Sequence, residues 1–130
     1  MVSLVLVSHS RKIAEGTAEL VRQMAGEELK ISAIGGDPEG GLGTDPDEIR
    51  RVLEDSGGED VLVFMDLGSA VMSAEAVREE LKPELRGRVH LVDAPFVEGA
   101  FSAGVAASAG SSVEECIEAA AEARTESKLH

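Results

Sequence analysis

Two side chains in this sequence combine reactive chemistry with a position that exposes it. His9 follows the apolar run Val2–Val7 by two residues, and Asp66 directly follows the run Asp60–Met65. Each stands at the carboxyl end of a segment that reads as a strand. An imidazole beside a carboxylate has a specific use. The acid accepts a hydrogen bond from one ring N–H and fixes the tautomer, so the second nitrogen presents its lone pair. That nitrogen could act as a general base, bind a metal or attack phosphorus. Around the pair, Ser8, Ser10, Gly68 and Ser69 offer small hydroxyls and accessible backbone N–H groups. Helices are expected to begin after both sites, and helix N-termini stabilise anions. Such a nest suits the three oxygens of a phosphoryl group in an in-line transfer, so Ser8, Ser10, Gly68 and Ser69 are the expected phosphoryl-binding residues.

Competing chemistries lack parts. His9 and Asp66 are two ligands where a metal site usually needs three or four, so neither a metal nor a cofactor is expected. His90 is expected at the start of the last strand, and His130 is the final residue, so no second histidine joins the site. Cys116 falls on the stripe Val113, Cys116, Ile117, Ala120 and reads as core. The loop holding Gly35, Gly36, Gly40, Gly41 and Gly43 lacks the Gly-Lys-Ser/Thr ending of a P-loop and follows the second strand, not the first. A partner-contacting loop and a flexible turn both remain open for it. On residue pattern alone, His9 could also be a solvated strand-end residue and Asp66 a helix cap.

The pairing of His9 with Asp66 depends on the elements that carry them. Strands are read at Val2–Val7, Leu29–Ile34, Asp60–Met65 and Val89–Val92, the first as an apolar run broken only by Ser3. Ile13, Thr17, Leu20, Val21 and Met24 recur at helical spacing, with Gly26 as a stop. Asp45 is read as the cap of a second helix, with Pro46 first, Glu48 closing a capping box, and Ile49, Val52 and Leu53 as the buried stripe. Ala70, Ala74, Val77 and Leu81 share a face of a third, which Pro83 ends. Helices are expected over Val97–Ala109 and Val113–Arg124, the latter with a Ser112/Glu115 capping box. The order βαβαβαβαα implies an α/β fold: a doubly wound three-layer sandwich, its four-stranded parallel sheet ordered 2-1-3-4 with helices on both faces. In such sheets the ligand crevice opens where the winding reverses, here between strands 1 and 3, and His9 and Asp66 follow those strands.

Composition narrows the function classes. With 43% apolar residues, a chain of 130 residues can build one packed domain, read as 1–124 with a frayed tail at 125–130. No run is long enough to span a bilayer, no signal peptide is visible, and one cysteine forms no internal disulfide, as expected of a cytoplasmic protein. Asp and Glu total 25 against 12 Lys and Arg, a net charge of −13, and neither Trp nor Tyr is present for base stacking. Nucleic acid and anionic membranes are therefore poor partners. The acidic surface confers solubility and could steer a basic protein partner.

The motifs Val-Ser-His-Ser at 7–10, Gly-Gly at 35–36, Gly-Thr at 43–44, Asp-Leu-Gly-Ser-Ala at 66–70 and Ala-Pro-Phe-Val-Glu-Gly-Ala at 94–100 run in order over nearly the whole chain. Together they resemble the phosphotransfer subunits of PTS-dependent dihydroxyacetone kinase (the DhaM family), relatives of the mannose-type enzyme IIA domains. The resemblance implies a phosphocarrier that takes a phosphoryl group from HPr onto His9. It would pass that group to ADP held by the kinase's nucleotide-binding subunit, in a homodimer of doubly wound domains. Asp66 would orient His9, Gly68 and Ser69 would lie in the phosphate-binding turn, and Gly35, Gly36, Glu98 and Gly99 would form the rim. Some relatives carry fused HPr-like and enzyme I-like domains. This sequence stops after the first, so a separate HPr is expected. Mannose-type domains usually carry a Trp-Gly-Gly-Ser-like segment after the aspartate, and Leu-Gly-Ser-Ala stands here, favouring the dihydroxyacetone branch. The alternatives are a IIA component of a mannose-type sugar transporter and a non-catalytic flavodoxin-like regulatory module.

Overall fold

A computed structural model describes residues 2–129. Four parallel strands, β1 (Val2–Ser8), β2 (Ile31–Gly35), β3 (Asp60–Met65) and β4 (Val89–Leu91), form one sheet in the order β2-β1-β3-β4. The helices between and after them are α1 (Arg11–Ala25), α2 (Pro46–Glu54), α3 (Gly68–Glu80), the short α4 (Pro83–Arg86), α5 (Phe96–Ser108) and α6 (Val113–Glu122). The expected fold class and strand order are those observed. The four-residue α4 is additional: Pro83, expected only to end α3, also starts a new turn at a position where proline's missing N–H costs nothing.

Side-chain alternation in the two central strands sorts the core into two layers. Leu4 and Leu6 of β1 and Leu62 and Phe64 of β3 point one way, into a cluster with Ala18, Val21, Ala100, Ala103, Cys116 and Ala120 from α1, α5 and α6. Val5, Val7, Val61 and Val63 point the other way, against Ile49, Leu53, Ala70, Ala74 and Val77 from α2 and α3. Burial on both faces explains why β1 is buried along its whole length and why Val2–Val7 is apolar apart from Ser3. The chain covers one face after β1 and the other after β2, so the winding reverses between β1 and β3.

Helix α1 departs from expectation. Its buried residues are Ala14, Thr17, Ala18 and Val21, whereas Ile13, Leu20 and Met24 are 51%, 43% and 64% exposed. The helix lies too close to the sheet and α5 for large side chains on that face. A Cβ on Gly104 of α5 would stand 2.4 Å from Val21 Cγ1, a measure of that proximity. Small residues admit the close approach, and the large apolar ones are left outside. At α2 the Asp45 carboxylate accepts from the N–H groups of Asp47 and Glu48, at 3.1 and 3.4 Å. The expected box is not closed, because the Glu48 carboxylate instead takes Arg11 of α1 at 3.1 Å through each oxygen. The Ser112/Glu115 box forms as read. Smaller shifts concern β2, which starts at Ile31 instead of Leu29, and α6, which ends at Glu122 instead of Arg124.

Candidate functional site

β1 and β3 run side by side with Val7 opposite Met65, so the residues beyond their ends emerge together. The Asp66 N–H donates to Val7 O at 3.2 Å, extending the ladder by one bond and holding the carboxylate at the mouth of the crevice. His9 Nδ1 lies 3.1 Å from Asp66 Oδ1. The same carboxylate accepts from the Leu67 N–H through Oδ1 at 2.7 Å, and from the Ser8 hydroxyl and the His9 N–H through Oδ2 at 2.7 and 3.2 Å. All four lone-pair directions of the carboxylate are thus occupied.

Burial tends to raise the Asp66 pKa, but the bonds from Ser8, His9 and Leu67 outweigh it and hold the carboxyl below its ordinary value. An ionised Asp66 is an acceptor only, so Nδ1 must donate. In the neutral ring the lone pair then resides on Nε2, which makes no hydrogen bond among the described residues. The imidazole is 24% exposed and the carboxylate 12%, so the ring is open on one side and its orienting partner is sheltered.

The remaining expected residues divide. Gly68 and Ser69 are exposed at the start of α3, a thirteen-residue helix whose cap, Leu67, supplies no side-chain bond and whose first turn holds no acid. Its leading N–H groups are therefore open toward an anion beside Asp66. Ser10 caps α1, its Oγ accepting from the Ile13 N–H at 3.3 Å, while its own N–H donates to Ser8 Oγ at 3.0 Å. Ser8 was expected to touch a phosphoryl group, but it is 0% exposed and its proton lies on Asp66, because the last residue of a doubly covered strand faces inward. Gly35 and Gly36 are buried too, at the floor of a pocket lined by Ser10, Arg11 and the glycine loop. Gly35 pairs with Ser8 across the sheet and runs under the start of α1. Gly36 has a φ of +86° and carries the turn into the loop. Glu98 and Gly99 sit in the first turn of α5 with other partners. Gly99 is buried against Ala94, Phe64 and Ala120, and Glu98 accepts from Lys128 Nζ at 2.7 Å.

His90 lies within β4, opposite Leu62, with its Nε2 3.2 Å from Asp60 Oδ1 at the start of β3. It faces the opposite end of the sheet from His9, and His130 is outside the described residues. Two contributors were not foreseen from the sequence. The Gly43 N–H donates to His9 O at 2.9 Å, which lays the end of the glycine loop on the site. Thr44 then places its hydroxyl 2.9 Å from Ser73 Oγ and 3.4 Å from Ser69 Oγ, at the open end of α3. The Gly-Thr pair at 43–44 is the sole sequence signal for this, and it says nothing of which strand end the loop returns to. The loop end and the start of α3 thus bring hydroxyls and backbone N–H groups to the strand ends that carry His9 and Asp66, an arrangement suited to holding an oxyanion near a nucleophile.

Residues 3–119 match the EIIA-man family, described as the PTS system fructose IIA component. A PEP-dependent dihydroxyacetone kinase phosphoryl donor subunit DhaM of Klebsiella michiganensis is 43% identical over 91% of this chain and 26% of that protein. The corresponding subunit of dihydroxyacetone kinase 2 from Listeria innocua is 43% identical over 81% of this chain and 85% of its own length. This chain thus spans about a quarter of the first of these relatives and most of the second. Among solved structures, EF1359, a protein of unknown function, superposes with a TM-score of 0.88 at 37% identity, covering 99% of this chain and 98% of that one. The phosphotransferase component EIIA from Streptococcus agalactiae shares the fold, with a TM-score of 0.67 at 16% identity over 92% of this chain and 89% of its own. With a match over most of its length and a short relative at 43% identity, the chain belongs to the EIIA-man family, on the branch of the DhaM phosphoryl donor subunits.

Proposed function

We propose that the protein is a phosphocarrier of a PEP-dependent dihydroxyacetone kinase system, working through phosphohistidine at His9. The observation that carries this reading is the His9–Asp66 pair, which commits Nδ1 to the carboxylate and leaves the Nε2 lone pair with no hydrogen-bond partner among the described residues. Nε2 attacks the phosphorus of a phosphoryl group on the donor carrier HPr. A P–N bond forms as the donor's own P–N bond breaks, and the donor keeps the electron pair. The Nδ1 proton stays between His9 and Asp66, whose negative charge stabilises the positive charge developing on the ring. The exposed N–H groups at the start of α3, with Ser69 and Thr44, receive the phosphoryl oxygens. The second transfer reverses these roles. A terminal oxygen of ADP on the nucleotide-binding kinase subunit attacks, ATP forms, and Nε2 recovers its lone pair. The protein would work in the cytoplasm as a homodimer, as the resemblance to its relatives implies.

The test is phosphoryl incorporation from phosphoenolpyruvate, enzyme I and HPr. His9→Ala is expected to take up none. Asp66→Asn is expected to slow uptake by roughly tenfold or more without abolishing it, because Asp66 orients the ring but does not carry the group. Equal uptake by wild type and His9→Ala refutes the assignment. Discharge by the ADP-loaded kinase subunit, with no discharge to a sugar permease, separates the kinase branch from sugar transport.

A further inference from the structure

We propose that Ser8 is a positioning residue for phosphoryl transfer, acting on His9 only through Asp66. The inference rests on the phosphocarrier reading and adds a group to its machinery. Ser8 is fully buried at the end of β1, and both sides of its hydroxyl are in use. The proton is donated to Asp66 Oδ2 at 2.7 Å, and a lone pair accepts the Ser10 N–H at 3.0 Å.

The resulting chain runs from the Ser10 N–H to Ser8 Oγ, from the Ser8 hydroxyl to Asp66 Oδ2, and from His9 Nδ1 to Asp66 Oδ1. Its geometry explains why a serine is useful here. A carboxylate rotates about its Cβ–Cγ bond between nearly equivalent orientations, and the Leu67 N–H touches only Oδ1. Oδ2 takes the His9 N–H at 3.2 Å and, at 2.7 Å, the Ser8 hydroxyl, the one side-chain donor to it among the described residues, from a strand end that is itself held in the sheet opposite Gly35. With Oδ2 pinned, Oδ1 points at Nδ1. The Ser10 N–H keeps the Ser8 hydroxyl aimed at the acid, because it occupies a lone pair and leaves the proton for Oδ2. The hydroxyl has no surface open to a phosphoryl group, so its effect on transfer is transmitted through the carboxylate.

The experiment combines Ser8→Ala and Ser8→Cys with Asp66→Asn in one cycle, read as the rate of phosphoryl uptake from HPr. Ser8→Cys keeps the buried volume but offers only a weak donor, so it guards against a packing defect in Ser8→Ala. Both single variants are expected to accept phosphoryl roughly tenfold more slowly than wild type while melting cooperatively. Adding Ser8→Ala to Asp66→Asn is expected to change the rate by less than about twofold, since the acceptor of the Ser8 proton is already altered. The tautomer of the neutral imidazole, read by nitrogen NMR, supplies an arm independent of phosphate. Wild type is expected to hold the Nδ1–H form, and Ser8→Ala to admit a clear Nε2–H population. The proposal is overturned if Ser8→Ala matches wild type in rate and tautomer, or if its loss multiplies in full with that of Asp66→Asn. Absence of phosphoryl uptake by the wild type would instead refute the carrier reading, and the tautomer measurement would then decide the role of Ser8 by itself.

Discussion

Replacing Gly35 by alanine puts the architecture of the site under the most direct test. A Cβ at this position would stand 2.6 Å from Arg11 Cα, Arg11 N and Ser10 C. Ordinary van der Waals contact begins near 3.5 Å, so each pair is about 1 Å too close. Nothing nearby can rotate aside, because all three atoms belong to the backbone at the start of α1. Gly99 and Gly104 differ in this respect. Their added Cβ atoms would meet the Ala94 methyl at 2.7 Å and Val21 Cγ1 at 2.4 Å, one side-chain atom each in place of three backbone atoms, and the valine can turn about χ1. Gly35→Ala must move β2 away from α1 or push the helix start outward. Overpacking of this kind costs about 3 kcal/mol, the upper end of the usual range, because backbone must shift. For a domain of this size that corresponds to a fall in Tm of roughly 10 °C. Ser10 and Arg11 follow His9 directly, so the displacement also loosens the His9–Asp66 contact, and phosphoryl uptake is expected to fall with stability. Thermal and urea denaturation followed by circular dichroism measure the first effect, and the uptake assay the second. A Tm within about 2 °C of wild type would show that α1 does not rest on Gly35 as described.

Acid should weaken the protein in part through Asp66. Its pKa is lower folded than unfolded, so it adds stability above the ordinary carboxylate range, and that contribution is lost as pH falls through the folded value. The gap in urea midpoint between wild type and Asp66→Asn is therefore expected to narrow from pH 5 to pH 3, and a constant gap would contradict the assignment. Burial first, and then the neighbouring Glu115, push the Cys116 thiol above its ordinary pKa. Its reaction with a disulfide reagent at pH 8 should be slow in the native protein and fast in urea. Rapid native labelling would show that α6 does not cover this face.

The features legible along the chain are local ones. A nearly unbroken apolar run such as Val2–Val7 demands a strand covered on both faces, and four strand segments separated by helical spacing leave one parallel, doubly wound arrangement as the economical solution. That arrangement places residues 9 and 66 at adjacent strand ends, so the central pair of the site was legible before any coordinates. Ser112 and Glu115 were legible for the same reason, since their interaction is complete within four residues. Other features follow from contacts between segments distant in the chain and emerge only on folding. The buried face of α1 belongs to Ala14 and Ala18 and not to Ile13 and Met24, because the depth available is set by Gly104 on α5. Glu48 leaves its own helix cap for Arg11, 37 residues away, since charge seeks the partner that folding brings near. Ser8 turns from the reacting group to its acid, and Thr44 arrives beside Ser69, for one reason. A hydroxyl's partner is chosen by three-dimensional proximity, which spacing along the chain does not encode.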